Sequence, residues 1–267
     1  MRVVLSEYKP DYGSYVFPYH VWGFLDDGET PADALAAGFL PAAYDMSRFY
    51  LTRSVRIALD AFSDTSRTRY VRRRCEHITG ALVERTDFRL TEPLRELAVA
   101  YFASQSRAPE YRRKRFFEMI SSPFATHFMR FTDETTEQPV GLVPLFLTGN
   151  VADYGIPVYD PAYRDISIGN HMMADTLREM RDRERAYVYL GTCYSPGDRY
   201  KTRFAGMQFF NGYRWSDDRR ELHVLTDHQG RDERQHVLGA PDYLDEFCAG
   251  DIAALGERST LRLTTGP

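Results

Sequence analysis

Between Pro139 and Lys201 the spacing of apolar residues changes twice, and no other feature constrains the fold as much. Val140–Leu147 and Val151–Tyr159 read as two apolar strands. The repeat then lengthens from about 2 to about 3.6 residues, so a helix opens near Ser167, and Ala186–Tyr194 returns to a short aromatic strand. A helix placed between strands in this way is the crossover that joins neighbouring strands of one sheet, with function at strand ends and helix starts. The chain therefore reads as α/β, in the α+β sense, with its active region in this stretch.

The flanking segments fit such a sheet. Thr91 is placed to cap a helix whose first turn holds Pro93 and whose apolar stripe is Leu94, Leu97, Ala98, Tyr101 and Phe102. A second helix is expected from about Pro109 to the Ser121-Ser122-Pro123 stop. A strand at Thr126–Phe131 and a hairpin loop at Thr132–Gln138 follow. Thr86–Glu92 reads as a boundary, dividing the chain into residues 1–90 and 91–267. In the first part, Leu5–Asp26 is crowded with aromatic residues that serve either as core packing or as a pocket wall. Gly38-Phe39-Leu40-Pro41 reads as a turn. Val55, Leu59 and Phe62 at helical spacing predict a helix over Ser54–Phe62. Arg67, Arg69, Arg72, Arg73 and Arg74 follow, as a solvated face or a phosphate-contacting one. Beyond Lys201, strands are expected at Met207–Trp215 and Glu221–Leu225 and a short helix near Asp242–Phe247.

Composition sets limits on partners. With 43% hydrophobic and 14% aromatic residues in 267, the chain has material for a sizeable core. No apolar run approaches the ~20 residues that span a bilayer, and the opening MRVVLSEYKPDYG lacks a secretory signal's apolar core. The expectation is a cytoplasmic protein without membrane or DNA partners. Cys75, Cys193 and Cys248 are widely spaced, which points to reduced thiols and to no metal site. A net charge of −4 argues against indiscriminate coating of nucleic acid. All but Lys9, Lys114 and Lys201 of the 34 basic residues are arginine. That bias either favours phosphate and base recognition or reflects a GC-rich genome.

Tyr159-Asp160-Pro161, Tyr163, Ser167 and Gly169, then Tyr189-Leu190-Gly191, then Tyr200-Lys201, stand in the order found in the C-terminal half of the arginyl- and leucyl-tRNA–protein transferases, and the chain resembles that family. The likeness covers about residues 92–215; the family's N-terminal cysteine cluster has no counterpart. Arg53-Ser54-Val55-Arg56 is similar to a basic segment preceding the family's transferase domain. The resemblance implies a GNAT-like acyltransferase domain with a mixed, largely antiparallel sheet flanked by helices. It also implies transfer of an amino acid from charged tRNA to an amine, most simply the N-terminus of a protein or peptide. Aminoacyl-tRNA is then a co-substrate and no cofactor is needed.

An aminoacyl ester is already activated, so such an enzyme must present a neutral amine and stabilise an oxyanion. In the GNAT-like fold that the resemblance implies, two neighbouring strands splay apart and leave backbone N–H groups for the carbonyl, with Gly191 allowing close approach at Tyr189–Tyr194. Asp160 is the candidate to hold the amine, or else a turn residue before Pro161. Tyr159, Tyr163, Tyr189 and Tyr194 would stack the terminal adenine or protonate the leaving hydroxyl, or else fill the core. Ser167 and Gly169 would meet a phosphate at the helix start, and His171 would act there as a base. Arg53, Arg56, Arg72, Arg73, Tyr200, Lys201 and Arg203 are the candidate tRNA contacts. Two further readings stay open: an acyl-coenzyme A N-acyltransferase that uses Arg164–Asn170, and a silent tRNA- or peptide-binding module.

Overall fold

A computed structural model describes residues 1–106, 108–227 and 236–261. In chain order the elements begin with β1 (Arg2–Glu7), β2 (Tyr19–Phe24), α1 (Pro31–Ala36), β3 (Phe39–Pro41), β4 (Phe49–Leu51) and β5 (Ser54–Ala58). Next come α2 (Ser66–Arg74), β6 (Ile78–Glu84), α3 (Glu92–Ala103), α4 (Pro109–Ser121), β7 (His127–Asp133) and β8 (Gln138–Thr148). The remainder is β9 (Val151–Tyr154), β10 (Val158–Tyr159), α5 (Ile168–Asp182), β11 (Tyr187–Thr192), β12 (Met207–Phe210), β13 (Trp215–Ser216), α6 (Arg219–Asp227), α7 (Pro241–Phe247) and α8 (Ala253–Arg258).

The chain forms two compact units. The first comprises Met1–Arg56, Gly191–Arg203 and Met207–Pro267, the second Ile57–Leu190 and Phe204–Gly206. The division thus falls at Arg56/Ile57 and Leu190/Gly191, while β6 and α3, on either side of Thr86–Glu92, share the second unit.

In the second unit β6, β7, β8 and β9 pair antiparallel in that order. The ladder turns parallel where β11 joins β9. β8 supplies an apolar run, Val140–Phe146, that is buried throughout. The expected strand Val151–Tyr159 is in fact two, broken at Gly155-Ile156-Pro157, with β10 folding back onto β8. The α3 stripe Leu94, Leu97, Ala98, Tyr101 and Phe102 is wholly buried, with Pro93 in the first turn, and the helix packs on α4 and β8. α5 buries Met172, Met173, Leu177 and Met180, and its Met172 sulfur lies 2.7 Å from where a Cβ at Gly141 would stand. A Cβ there would displace the end of the Met172 side chain.

In the first unit β1, β2, β4 and β3 form an antiparallel sheet in that order, over a core of Ala34, Phe39 and Phe49. Gly38 turns into β3 with φ +89°, and a Cβ there would collide with the Phe210 ring at 2.6 Å. Two expectations are corrected here. Ser54–Ala58, read as the start of a helix, is strand β5, since β-branched Val55 and Ile57 lie in a segment buried on both faces. Glu221–Leu225, read as a strand, lies in α6, which buries Glu221, Leu222, Leu225 and Thr226 along one side. Glu221 is satisfied there by hydrogen bonds donated by Asn211 Nδ2 at 2.7 Å, Ser216 Oγ at 2.5 Å and the Tyr243 hydroxyl at 2.6 Å. Met207–Trp215 is a hairpin, β12 paired with β13.

Candidate active site

The parallel ladder between β11 and β9 has three rungs, Tyr187 with Val151, Val188 with Ala152 and Tyr189 with Asp153. Past that point the two chains separate. Gly155 donates its N–H to the Pro144 carbonyl at 2.9 Å, β10 turns back to pair with β8, and β11 continues through Leu190. β10 and β11 share no rung among the described residues. This is the strand opening expected from the sequence, in the second unit and bounded by Tyr189 and Tyr159.

Asp153 stands on the last rung, at a position that no sequence motif singled out. It is only 6% exposed, and among the described residues no group donates a hydrogen bond to its carboxyl. Burial alone pushes that carboxyl up to about 7. One acid inside the apolar run Val151-Ala152-Asp153-Tyr154 is the signal that could have found it, because an ionisable side chain in a strand interior without a partner is costly.

Around the opening the expected residues fall into two classes. Tyr189 is buried at 1% exposure and belongs to the core. Tyr159 packs edge-on against Tyr101 at 4.7 Å, and a Cβ at Gly169 would lie 3.1 Å from the Tyr159 ring, so that glycine seats the start of α5 against it. Ser167 adopts the left-handed conformation, φ 65°, at the N-cap of α5, and its carbonyl receives the Asn170 and His171 N–H groups. Asp160 caps the 3-10 turn Pro161–Ile166 by accepting the Ala162 N–H at 2.9 Å, and it lines a hollow with Pro93, Glu96 and Gln138. Tyr163 donates its hydroxyl to Asp133 at 2.6 Å. Thr135 and Tyr163 hydroxyls hold the Asp133 carboxyl at about 2, and that carboxylate pushes the Tyr163 phenol up to about 12.

His171 does not fit the role of a base at the helix start. It is 4% exposed, its Nε2 donates to the Ile78 carbonyl at 3.3 Å and its Nδ1 is buried without a partner. Burial holds the imidazole below its usual range, so it stays neutral. Nor do the thiols offer a nucleophile: burial pushes Cys75 up to about 11 and raises Cys193.

The first unit holds Gly191–Arg203. Gly191 has φ +79°, which a side chain would strain, and Lys201 Nζ donates to the Thr192 carbonyl at 2.8 Å, tying the end of β11 to the 3-10 turn Pro196–Thr202. The Tyr194 hydroxyl accepts the Arg53 backbone N–H at 3.0 Å. Tyr200 and Arg203 are exposed. Arg56 departs from its expected place on a nucleic-acid surface. It is 9% exposed, its Nε donates to Gln208 Oε1 at 2.8 Å and its guanidinium lies 3.9 Å from the centre of the Trp215 ring.

Arginine exposure is instead concentrated on α2 in the second unit. Arg67, Arg69, Arg72, Arg73 and Arg74 all face solvent there. Arg72 pairs with Asp64 at 3.5 Å, and Arg74 lies 5.9 Å from the Tyr70 ring centre. Among the described residues no three His, Cys, Asp or Glu side chains gather as a metal site, and no helix is long and apolar enough to cross a membrane.

Comparison with known proteins gives concordant results. The family whose model matches residues 63–202 is described as an acetyltransferase (GNAT) domain. The aspartate/glutamate leucyltransferase of Ruegeria pomeroyi is 28% identical over 218 residues, covering 78% of this chain and 70% of that protein. Among solved structures, L-PGS from Bacillus licheniformis matches with a TM-score of 0.42 and 11% identity over 66% of this chain and 55% of that one. A GCN5-related N-acetyltransferase from Sphaerobacter thermophilus matches with a TM-score of 0.36 and 15% identity, over 71% and 56%. The chain thus spans little more than half the length of either solved structure.

Proposed function

The chain belongs to the GNAT acetyltransferase-domain family, and from that premise we propose that it transfers an aminoacyl group from a charged tRNA to the free amine of a protein or peptide. The observation that carries this reading is the parting of β9 and β11 beside the buried carboxyl of Asp153, in a chain similar to a leucyltransferase. The attacking amine must lose a proton, and a carboxyl held at about 7 is matched to that task near neutrality. The amine nitrogen forms the new C–N bond on the ester carbonyl, and the C–O bond to the tRNA ribose breaks. Asp153 takes the proton from the amine and returns it to the leaving hydroxyl, so no proton is left over. Attack is direct, since the ester needs no further activation and burial raises the Cys75 and Cys193 thiols. The exposed arginines of α2 supply charge for the phosphate backbone of the carrier.

A second reading, acyl transfer from coenzyme A, is favoured by the family description itself and by the opening of α5 at Arg164–Asn170. One assay separates the two. The purified chain is incubated with labelled leucyl- or arginyl-tRNA and peptides with free N-termini, and in parallel with labelled acetyl-coenzyme A. Label reaching the peptide from tRNA alone is the expected result. Label from the coenzyme alone overturns the first reading in favour of the second, and binding without any transfer removes both.

A further inference from the structure

In the first unit β1 lies at the edge of its sheet, paired on one side with β2 in an unbroken register from Arg2 with Phe24 to Glu7 with Tyr19. Among the described residues no strand pairs with its other side, so a row of main-chain N–H and C=O groups is open there. Val4 and Leu5, at the middle of the strand, are 49% and 58% exposed. Edge strands that resist association carry proline, lysine or a bulge, and Arg2–Glu7 has none of these. Its side chains alternate between the two faces of the sheet. Val3 packs on the core of Ala34, Phe39 and Phe49, so Val3, Leu5 and Glu7 lie toward that face and Arg2, Val4 and Ser6 toward the other.

This strand matches itself. A two-fold axis normal to the sheet brings β1 of a second copy alongside, antiparallel, and keeps both faces, so only residues of the same face can oppose one another. With Val4 on the axis, Val4 meets Val4, Val3 meets Leu5 and Arg2 meets Ser6 of the second copy, so every apolar residue of the strand opposes an apolar one. At each end basic Arg2, which pairs with Asp26 of its own chain, stands one residue from acidic Glu7 of the second copy, and like charges are kept apart. Moving the axis to Leu5 would set Val3 against Glu7, and moving it to Val3 would set Arg2 against Val4. An extended peptide would satisfy the open main chain alone; the side-chain match is one the strand makes with itself.

We infer that the chain forms a two-fold dimer through β1, which doubles the four-stranded sheet of the first unit across the axis at Val4. One six-residue edge is small for a protein interface, so the dissociation constant belongs in the micromolar range and the monomer–dimer balance follows concentration. The inference is independent of which acyl carrier is used at the strand opening of the second unit.

Sedimentation velocity of the full chain over a concentration series should show monomer giving way to dimer. Val4→Lys and Val4→Glu each set like charges against one another on the axis and should raise the dissociation constant about tenfold or more, while an equal mixture of the two should restore association. Because Val4 is exposed, both variants should keep the circular dichroism and melting temperature of the monomer. Oxidative cross-linking reads the register. Val4→Cys places the two Cα atoms about 5 Å apart, within disulfide reach, whereas Leu5→Cys leaves them about 8 Å apart. Cys75, Cys193 and Cys248 are buried and add little background. Val4→Cys should therefore link rapidly and Leu5→Cys slowly. A chain that stays monomeric throughout the series overturns the inference, as does a dimer left intact by Val4→Lys or one in which Leu5→Cys links faster than Val4→Cys.

Discussion

At the scale of single residues, Asp153 bears both on activity and on stability. In the unfolded chain its carboxyl titrates near the ordinary aspartate value, and in the folded one at about 7. The folded state therefore holds the proton more tightly, and stability falls as pH rises from about 4 to about 7, then levels off. The full difference is on the order of 4 kcal/mol, an upper bound given structural relaxation. Asp153→Asn removes that dependence. The variant should melt above the wild type at pH 8 and lose the advantage at pH 5, as thermal unfolding at the two pH values will read. In transfer assays the wild-type kcat should rise with pH through about 7 as the carboxylate forms. In Asp153→Asn, kcat should fall by about 10²-fold or more, with the limb flattened. A limb that persists in the variant would assign it to another group.

At the scale of elements, β5 is where local spacing misleads and tertiary burial decides. Val55, Leu59 and Phe62 fit a helix, yet Ser54–Ala58 is a fully buried strand whose one cation, Arg56, is held by Gln208 and the face of Trp215. Trp215 is itself fixed by donating its indole N–H to the Ala36 carbonyl at 2.7 Å. Arg56→Met keeps the apolar stem while removing the fork, so it should cost about 2–3 kcal/mol, read from the urea midpoint. A destabilisation below about 0.5 kcal/mol would mean that stem packing alone suffices.

The same contrast explains which elements are legible in the sequence. The helices α3 and α4 are visible because a proline start and a 3.6-residue stripe agree, α5 because of its stripe alone, and β8 because its apolar run is long. Strand β6 escapes notice because Thr79 and Gly80 interrupt its short apolar run, and α6 passes for a strand because five residues are too few to tell two periods apart. Of the candidate site, the strand opening is what the family resemblance of the Tyr159–Lys201 motifs implies. Asp153 and the inward turns of His171 and Arg56 depend on burial, which no local pattern reports.

At the scale of the whole molecule, charge is unevenly spread. The chain carries a net −4, but α2 presents five solvent-facing arginines, of which Arg72 is paired with Asp64. Replacing Arg67, Arg69 and Arg73 with glutamine should weaken tRNA binding with little change in melting temperature, since these side chains are exposed. The dependence of log K on log salt should become shallower by about 0.7–0.9 for each phosphate no longer neutralised. Filter binding across a salt series measures both, and an unchanged slope would move the carrier to another surface.

The order in which the two units are threaded has a consequence for biosynthesis. Met1–Arg56 leaves the ribosome before the rest of its unit, which is completed only by Gly191–Arg203 and by the segment from Met207 onward. Phe210, whose ring fits against Gly38, is made more than 150 residues later. The nascent opening segment can gather Phe39 and Phe49 with its own Val21 and Leu51, but must wait for Phe210 and Leu261 while the intervening body matures. Premature termination after Leu190 would strand that segment without the pieces that complete its unit.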